Sequence, residues 1–201
     1  KGQSAWCHYV LSRAEVLAGS PRAAMRSIGT ARSLAKGSAQ EALLSHRLDR
    51  ELARHNLGQL RLGAARRLIE KLILRSRQME RWDLLSIAYG NLSVCCSMGG
   101  DYSGAGAALE LSIDHALREK DAESTLNAML GVATVETARG RLERAQDALR
   151  ECAPLVNAAY SQYGSLHLFL IGGELAFERA RFALARQQFS SALEHCQCHL
   201  P

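Results

Sequence analysis

Apolar residues recur at intervals of three and four along the chain, and no alternating run interrupts them. That rhythm predicts helices throughout and no strands. The pattern also repeats. Leu60-Arg61-Leu62 leads to Ala65 and Ile69, and Gly100-Asp101-Tyr102 leads to Ala105 and Leu109. Gly140-Arg141-Leu142 leads to Ala145 and Leu149, and Ala180-Arg181-Phe182 leads to Ala185 and Phe189. The period is about 40 residues, in the range of helical-repeat arrays, and no insertion breaks it. A weaker copy begins the chain, with Ala24 one residue out of register. The prediction is an all-α array of ten helices in five antiparallel hairpins, over residues 1–37, 38–78, 79–119, 120–158 and 159–201 of a single repeat domain.

Small residues mark where the two helices of a hairpin approach. Twelve positions before each repeat alanine lies another small residue: Ala53, Ser93, Ala133 or Gly173. Paired small side chains let the first (A) and second (B) helix pack closely. Boundary signals agree. Ser20 before Pro21 reads as an N-cap with proline at the first helical position. Ser38 with Glu41 reads as a capping box. Gly58, Gly99-Gly100 and Gly140 punctuate the A-to-B turns. Pro154, late in the fourth B helix, is expected to end or kink it.

Composition supports this picture. Of 201 residues, 47% are hydrophobic and 5% aromatic, with three prolines. That suits a large helical core and argues against a β-sandwich or barrel. The most apolar run, Leu166 to Phe177, carries His167 and Glu174, so no membrane span is expected. No signal peptide is legible, and a cytoplasmic location is expected. A start at Lys1 and a helical pattern reaching almost to Pro201 suggest a piece of a longer protein. Six irregularly spaced cysteines read as small buried thiols, not a disulfide framework. The net charge of +5 conceals a polarity. Residues 1–81 hold 16 Lys+Arg against 6 Asp+Glu, and residues 82–201 hold 9 against 14.

The order of small and large positions resembles the tetratricopeptide repeat. The third repeat carries it as Tyr89, Leu92-Ser93, Cys96, Ala105, Leu109 and Ser112. The fourth reads Met129, Val132-Ala133, Glu136, Ala145, Leu149 and Cys152, and the fifth Phe169, Gly172-Gly173, Ala176, Ala185, Phe189 and Ala192. The second departs most, with Asp49 at the first large position. The usual period of that motif is shorter, about 34 residues. The longer one here is similar to the repeat arms of bacterial signalling ATPases and maltose-regulator-type activators. The resemblance implies a right-handed superhelix whose A helices line a concave groove, in a signalling or transcription-regulating protein.

Mapped onto this chain, the groove-facing positions are Arg47, Arg50, Arg54 and Leu57 in the second repeat, and Trp6, Tyr9 and Arg13 in the first. The third presents Ile87, Gly90, Val94 and Ser97, the fourth Asn127, Leu130, Thr134 and Thr137, and the fifth His167, Leu170, Glu174 and Phe177. The arginines read either as carboxylate forks for an acidic peptide or as a solvated basic face. The two aromatics read either as ligand contacts or as core residues.

No phosphate loop, dinucleotide fingerprint or nucleophile elbow occurs, and no catalytic residue or cofactor is expected. His195-Cys196-Gln197-Cys198-His199 offers zinc-type ligands, but the cysteines leave the face shared by the histidines, and a frayed helix is the simpler reading. His46, His55 and His115 read as surface or cap residues. The expected function is a non-catalytic module that binds a protein or peptide within a larger regulatory protein. The alternatives are a self-associating or autoinhibitory arm and, for the basic half, nucleic-acid backbone binding.

Overall fold

The computed structural model describes residues 2–38, 41–159 and 162–199. Among them are ten α-helices and no strand: α1 (Gly2–Leu17), α2 (Pro21–Ala35), α3 (Glu41–Gly58), α4 (Leu62–Gln78), α5 (Trp82–Met98), α6 (Tyr102–Arg118), α7 (Ala122–Ala138), α8 (Leu142–Ala159), α9 (Gln162–Glu178) and α10 (Phe182–His199). They pair as five hairpins, α1/α2 to α9/α10. The chain forms two compact units, Lys1–Met79 with α1 to α4 and Glu80–Pro201 with α5 to α10. Within each unit an A helix packs on its own B helix, the preceding B helix and the neighbouring A helix.

One backbone conformation recurs in register at six of the described junctions between helices. The backbone enters the left-handed region at Leu60, Glu80, Gly100, Lys120, Gly140 and Ala180, positions spaced by half the sequence period or a multiple of it. After five of these the next amide closes a six-residue loop. Arg61 N–H donates to Asn56 O at 2.8 Å, Asp101 to Cys96 at 2.9 Å, Asp121 to Ala116 at 3.0 Å, Arg141 to Glu136 at 2.9 Å and Arg181 to Ala176 at 2.8 Å. These are Schellman closures, which satisfy the carbonyls a helix leaves open at its C-terminus. The B-to-A turn at Lys120 shares this closure with the A-to-B turns at Leu60, Gly100, Gly140 and Ala180. The following residue caps the next helix where its side chain allows. Asp101 accepts from Gly104 N–H at 2.8 Å, and Asp121 from Ser124 N–H at 3.0 Å.

The small positions pack as their spacing predicts: Ala53, Ala65, Ala105, Ala133 and Ala145 are wholly buried, and Ser93, Gly173 and Ala185 nearly so. In the first unit Tyr9, Ile28, Leu44 and Leu48 join Ala5, Ala31 and Ala35 in one cluster. In the second, Leu126, Leu130, Leu149 and Leu175 are among the large side chains of another. The close approach at residue 131 favours glycine: a Cβ there would lie 2.8 Å from a methyl carbon of buried Leu109, which would have to shift.

Three boundary expectations need correction. Pro154, expected to end or kink α8, does not end it: the helix continues to Ala159. Leu155, Val156 and Ala159 pack on the core and hold that turn in place, while the proline ring is exposed. Glu41 reaches back to the Gly37 amide at 2.6 Å, one residue before the expected Ser38. Ser20 precedes Pro21 at the start of α2 but makes no side-chain cap bond.

Candidate functional site: the basic face of α1 and α3

Arg47, Arg50 and Arg54 lie on one face of α3, because positions three and four apart on a helix share a side. In the first unit this face meets α1, and all six residues singled out from the sequence come together there. The Arg47 guanidinium lies over the Trp6 ring, 5.2 Å from its centroid. Arg50 Nη2 donates to Tyr9 Oη at 3.2 Å. Trp6 and Tyr9 pack edge to face, 5.6 Å apart. Arg13 and Arg54 flank a carboxylate that sequence reasoning passed over. Glu51 is buried and takes Arg50 at 3.3 Å, Arg54 at 3.8 Å and Arg13 at 3.9 Å.

Glu51 fixes the electrostatics. A buried carboxylate needs partners, and here three guanidinium groups surround it. Four arginines then meet one ion-paired acid, leaving three surplus positive charges. Arg13 and Arg54 are more than half exposed, so water screens their attraction to Glu51 and leaves them able to turn outward. Arg50 is different: its side chain is 16% exposed, and its Nε–H and that of Arg47 are buried without an acceptor. Beside them, Arg13, Glu51, Arg54, His55 and Gly58 line a cleft of about 330 Å³. Tyr9 is both a core residue and a member of this face: its ring is buried with Ile28 and Leu44, and its hydroxyl reaches Arg50.

The other mapped positions divide. Leu57 and Leu130 are buried core residues. The hydroxyls of Thr134 and Thr137 turn back onto their own helix, donating to Leu130 O and Ala133 O at 3.0 and 2.8 Å. Val94, Asn127, His167, Leu170, Glu174 and Phe177 are exposed.

Two of the histidines expected at surface or cap positions are buried. His46 is buried and hydrogen-bonds Ser76 Oγ at 2.9 Å. His115 stacks with Trp82 and Tyr89, 5.5 and 5.7 Å from their centroids. No disulfide forms among the cysteines of the described residues. Cys95, Cys96 and Cys152 are buried, but Cys7 and Cys198 are exposed, against the expectation of burial. Burial, with the Glu151 carboxylate nearby, pushes the Cys152 thiol up to about 11. Near the C-terminus His195 packs edgewise on Phe169, and the side chain of His199 lies outside the described residues. Among the described residues no group of three His, Cys, Asp or Glu side chains is placed to hold a metal. No helix there is long and apolar enough to cross a membrane.

No protein-family model matches the sequence, and no curated protein matches it either. Solved structures do match its backbone. Apo RapI superposes with a TM-score of 0.71 at 12% identity, over 98% of this chain and 84% of that one. Aspartyl phosphate phosphatase F from Bacillus subtilis gives 0.76 at 8% identity over 96% of this chain, which spans about half of that protein's length (51%). The nearly identical TPR-like repeats assigned to a kinesin light chain of Podosopora anserina give 0.63 at 13% identity, over 100% and 99%. The fold is that of TPR-like helical repeats, in agreement with the sequence resemblance.

Proposed function

We propose that this chain is a non-catalytic binding module whose α1/α3 face captures an acidic peptide segment of a protein partner, as part of a larger regulatory or signalling protein of the maltose-regulator type. The observation that carries the reading is the exposed pair Arg13 and Arg54 lining one cleft, beside the Arg47–Trp6 and Arg50–Tyr9 contacts and under a surplus of three positive charges. The carboxylates of an acidic segment accept from these guanidinium forks and supply the missing negative charge. The aromatic rings give a peptide apolar surface to lie on.

The test is a fluorescence-anisotropy titration of the chain with a labelled glutamate-rich peptide, against a glutamine-for-glutamate control. The wild type should bind the acidic peptide, and Arg13→Ala with Arg54→Ala should weaken it about tenfold, the loss expected for charged hydrogen bonds at exposed positions. Equal binding of the control peptide, an unchanged affinity in the double variant, or tighter binding of a random-sequence oligonucleotide overturns the reading. A second occupant has matching charge: residues 80–201 of another copy, which hold 10 Lys+Arg against 15 Asp+Glu. Sedimentation equilibrium distinguishes it, because self-association alone gives a mass that rises with protein concentration.

A further inference from the structure

A second charged cluster lies on α3, and its partners are on α2 and α4 instead of α1. Its centre is Asp49. One repeat on, the equivalent position is Tyr89, and in the fifth repeat it is Phe169. Each meets the same position of its own B helix. Tyr89 stacks on His115, Phe169 meets His195 at 6.3 Å between centroids, and Asp49 takes Arg75 Nη1 at 2.8 Å. One guanidinium is therefore enough to fill the slot that a ring fills elsewhere. Asp49 nonetheless takes two more cations, Arg32 Nη2 at 2.6 Å and Lys71 Nζ at 3.0 Å.

Three cations on one acid leave two positive charges uncompensated. Lys36 and Glu41 also line the groove, and their charges cancel. The groove has a volume of about 250 Å³ and is lined by residues of α2, α3 and α4. Asp49 is at its buried floor, 2% exposed, while the three cationic side chains are 37–47% exposed and reach its open side. The carboxylate thus acts as an organiser. It holds the heads of Arg32, Lys71 and Arg75 within hydrogen-bond reach of one point while most of their N–H donors remain uncommitted to it. Such pre-arranged donors suit an anion, because the cost of gathering like charges is already met in the folded chain.

We propose that this groove binds a phosphate-type dianion through Arg32, Lys71 and Arg75, held in place by Asp49. A phosphate monoester or inorganic phosphate carries close to two negative charges near neutral pH, which matches the surplus. A single carboxylate would neutralise half of it.

The experiment is ³¹P NMR titration of the 201-residue chain with inorganic phosphate and, separately, with methyl phosphate, at constant ionic strength set with chloride. Saturable binding is expected for at least one. Tighter binding of methyl phosphate identifies a monoester ligand, and tighter binding of phosphate the free ion. Lys71→Met and Arg32→Met, each checked for folding by circular dichroism, should each weaken binding about tenfold or more. Arg54→Ala on the α1/α3 face should leave it unchanged. No saturable binding of either probe overturns the proposal, as does binding that survives both Met variants or is lost in Arg54→Ala.

Discussion

Lys120 and Gly140 occupy equivalent turns with equivalent backbones, at φ of 54° and 70°. Both are exposed, and a Cβ built at Gly140 meets nothing within 4 Å. Exchanging residues here changes the backbone preference and almost nothing else. A non-glycine residue in the left-handed region costs about 1–2 kcal/mol. Glycine returns part of that, about 0.5–1 kcal/mol, through the greater freedom of the unfolded chain. The net expectation is a gain of about 0.5–1 kcal/mol for Lys120→Gly and a similar loss for Gly140→Ala. At about 2–4 °C per kcal/mol for a chain of this size, Tm should rise or fall by about 1–4 °C. Both sites lie in the second unit, in turns that share no hydrogen-bond partner, so the effects should nearly cancel in the double variant. Thermal and urea unfolding followed by circular dichroism measure this. A Tm that falls in Lys120→Gly, or is unmoved in Gly140→Ala, refutes the assignment of the turn as the source of strain.

Two further outcomes follow from packing, and one from burial. Gly131→Ala should forfeit the gain of up to about 1 kcal/mol that alanine brings to a helix interior and end destabilised by up to about 1 kcal/mol, since the buried Leu109 side chain must shift to admit the new methyl. Gly29→Ala, in open space inside α2, should stabilise by up to about 1 kcal/mol in the same denaturant assay. Cys152, pushed up to about 11 from 9.0, should stay unmodified by iodoacetamide at pH 8 while exposed Cys7 and Cys198 react. Its folded-state pKa is raised, so the stability linked to it is fully present below pH 9 and is lost as pH climbs toward 11. Modification of native Cys152 as fast as Cys7 would count against its burial.

The repeat was legible because packing imposes it on side-chain size: a small residue at 53 or 133 has to recur where helices touch. The arginine face was legible for a related reason, since spacing alone puts residues 47, 50 and 54 on one side. The acids were not. Nothing local distinguishes Glu51 from a solvated glutamate, and only the arrival of Arg13 from α1 makes it a hub. Asp49 was visible as a departure from the repeat, yet its partners come from two other helices. The turn was hidden for the opposite reason. Glycine marks it at 100 and 140, but Leu60, Glu80, Lys120 and Ala180 adopt the same backbone under the direction of the flanking helices. His115 escaped notice because both of its ring neighbours, Trp82 and Tyr89, stand on α5, the other helix of its hairpin.

The slot shared by Asp49–Arg75 and Tyr89–His115 bears on how such a chain folds correctly. Hairpins with interchangeable backbones invite docking in the wrong order, because each B helix offers every A helix a similar surface. Pairing α3 with α6 would bury Asp49 against His115, Leu111 and Ser112 in place of Arg75 and Lys71. Asp49 would keep Arg32 of α2 but lose two of its three cations; breaking a buried ion pair costs up to about 3–5 kcal/mol, a large share of the stability of a small domain. A charged slot among ring-filled and apolar ones therefore serves as an address. It rejects the wrong neighbour and lets α4 alone complete α3.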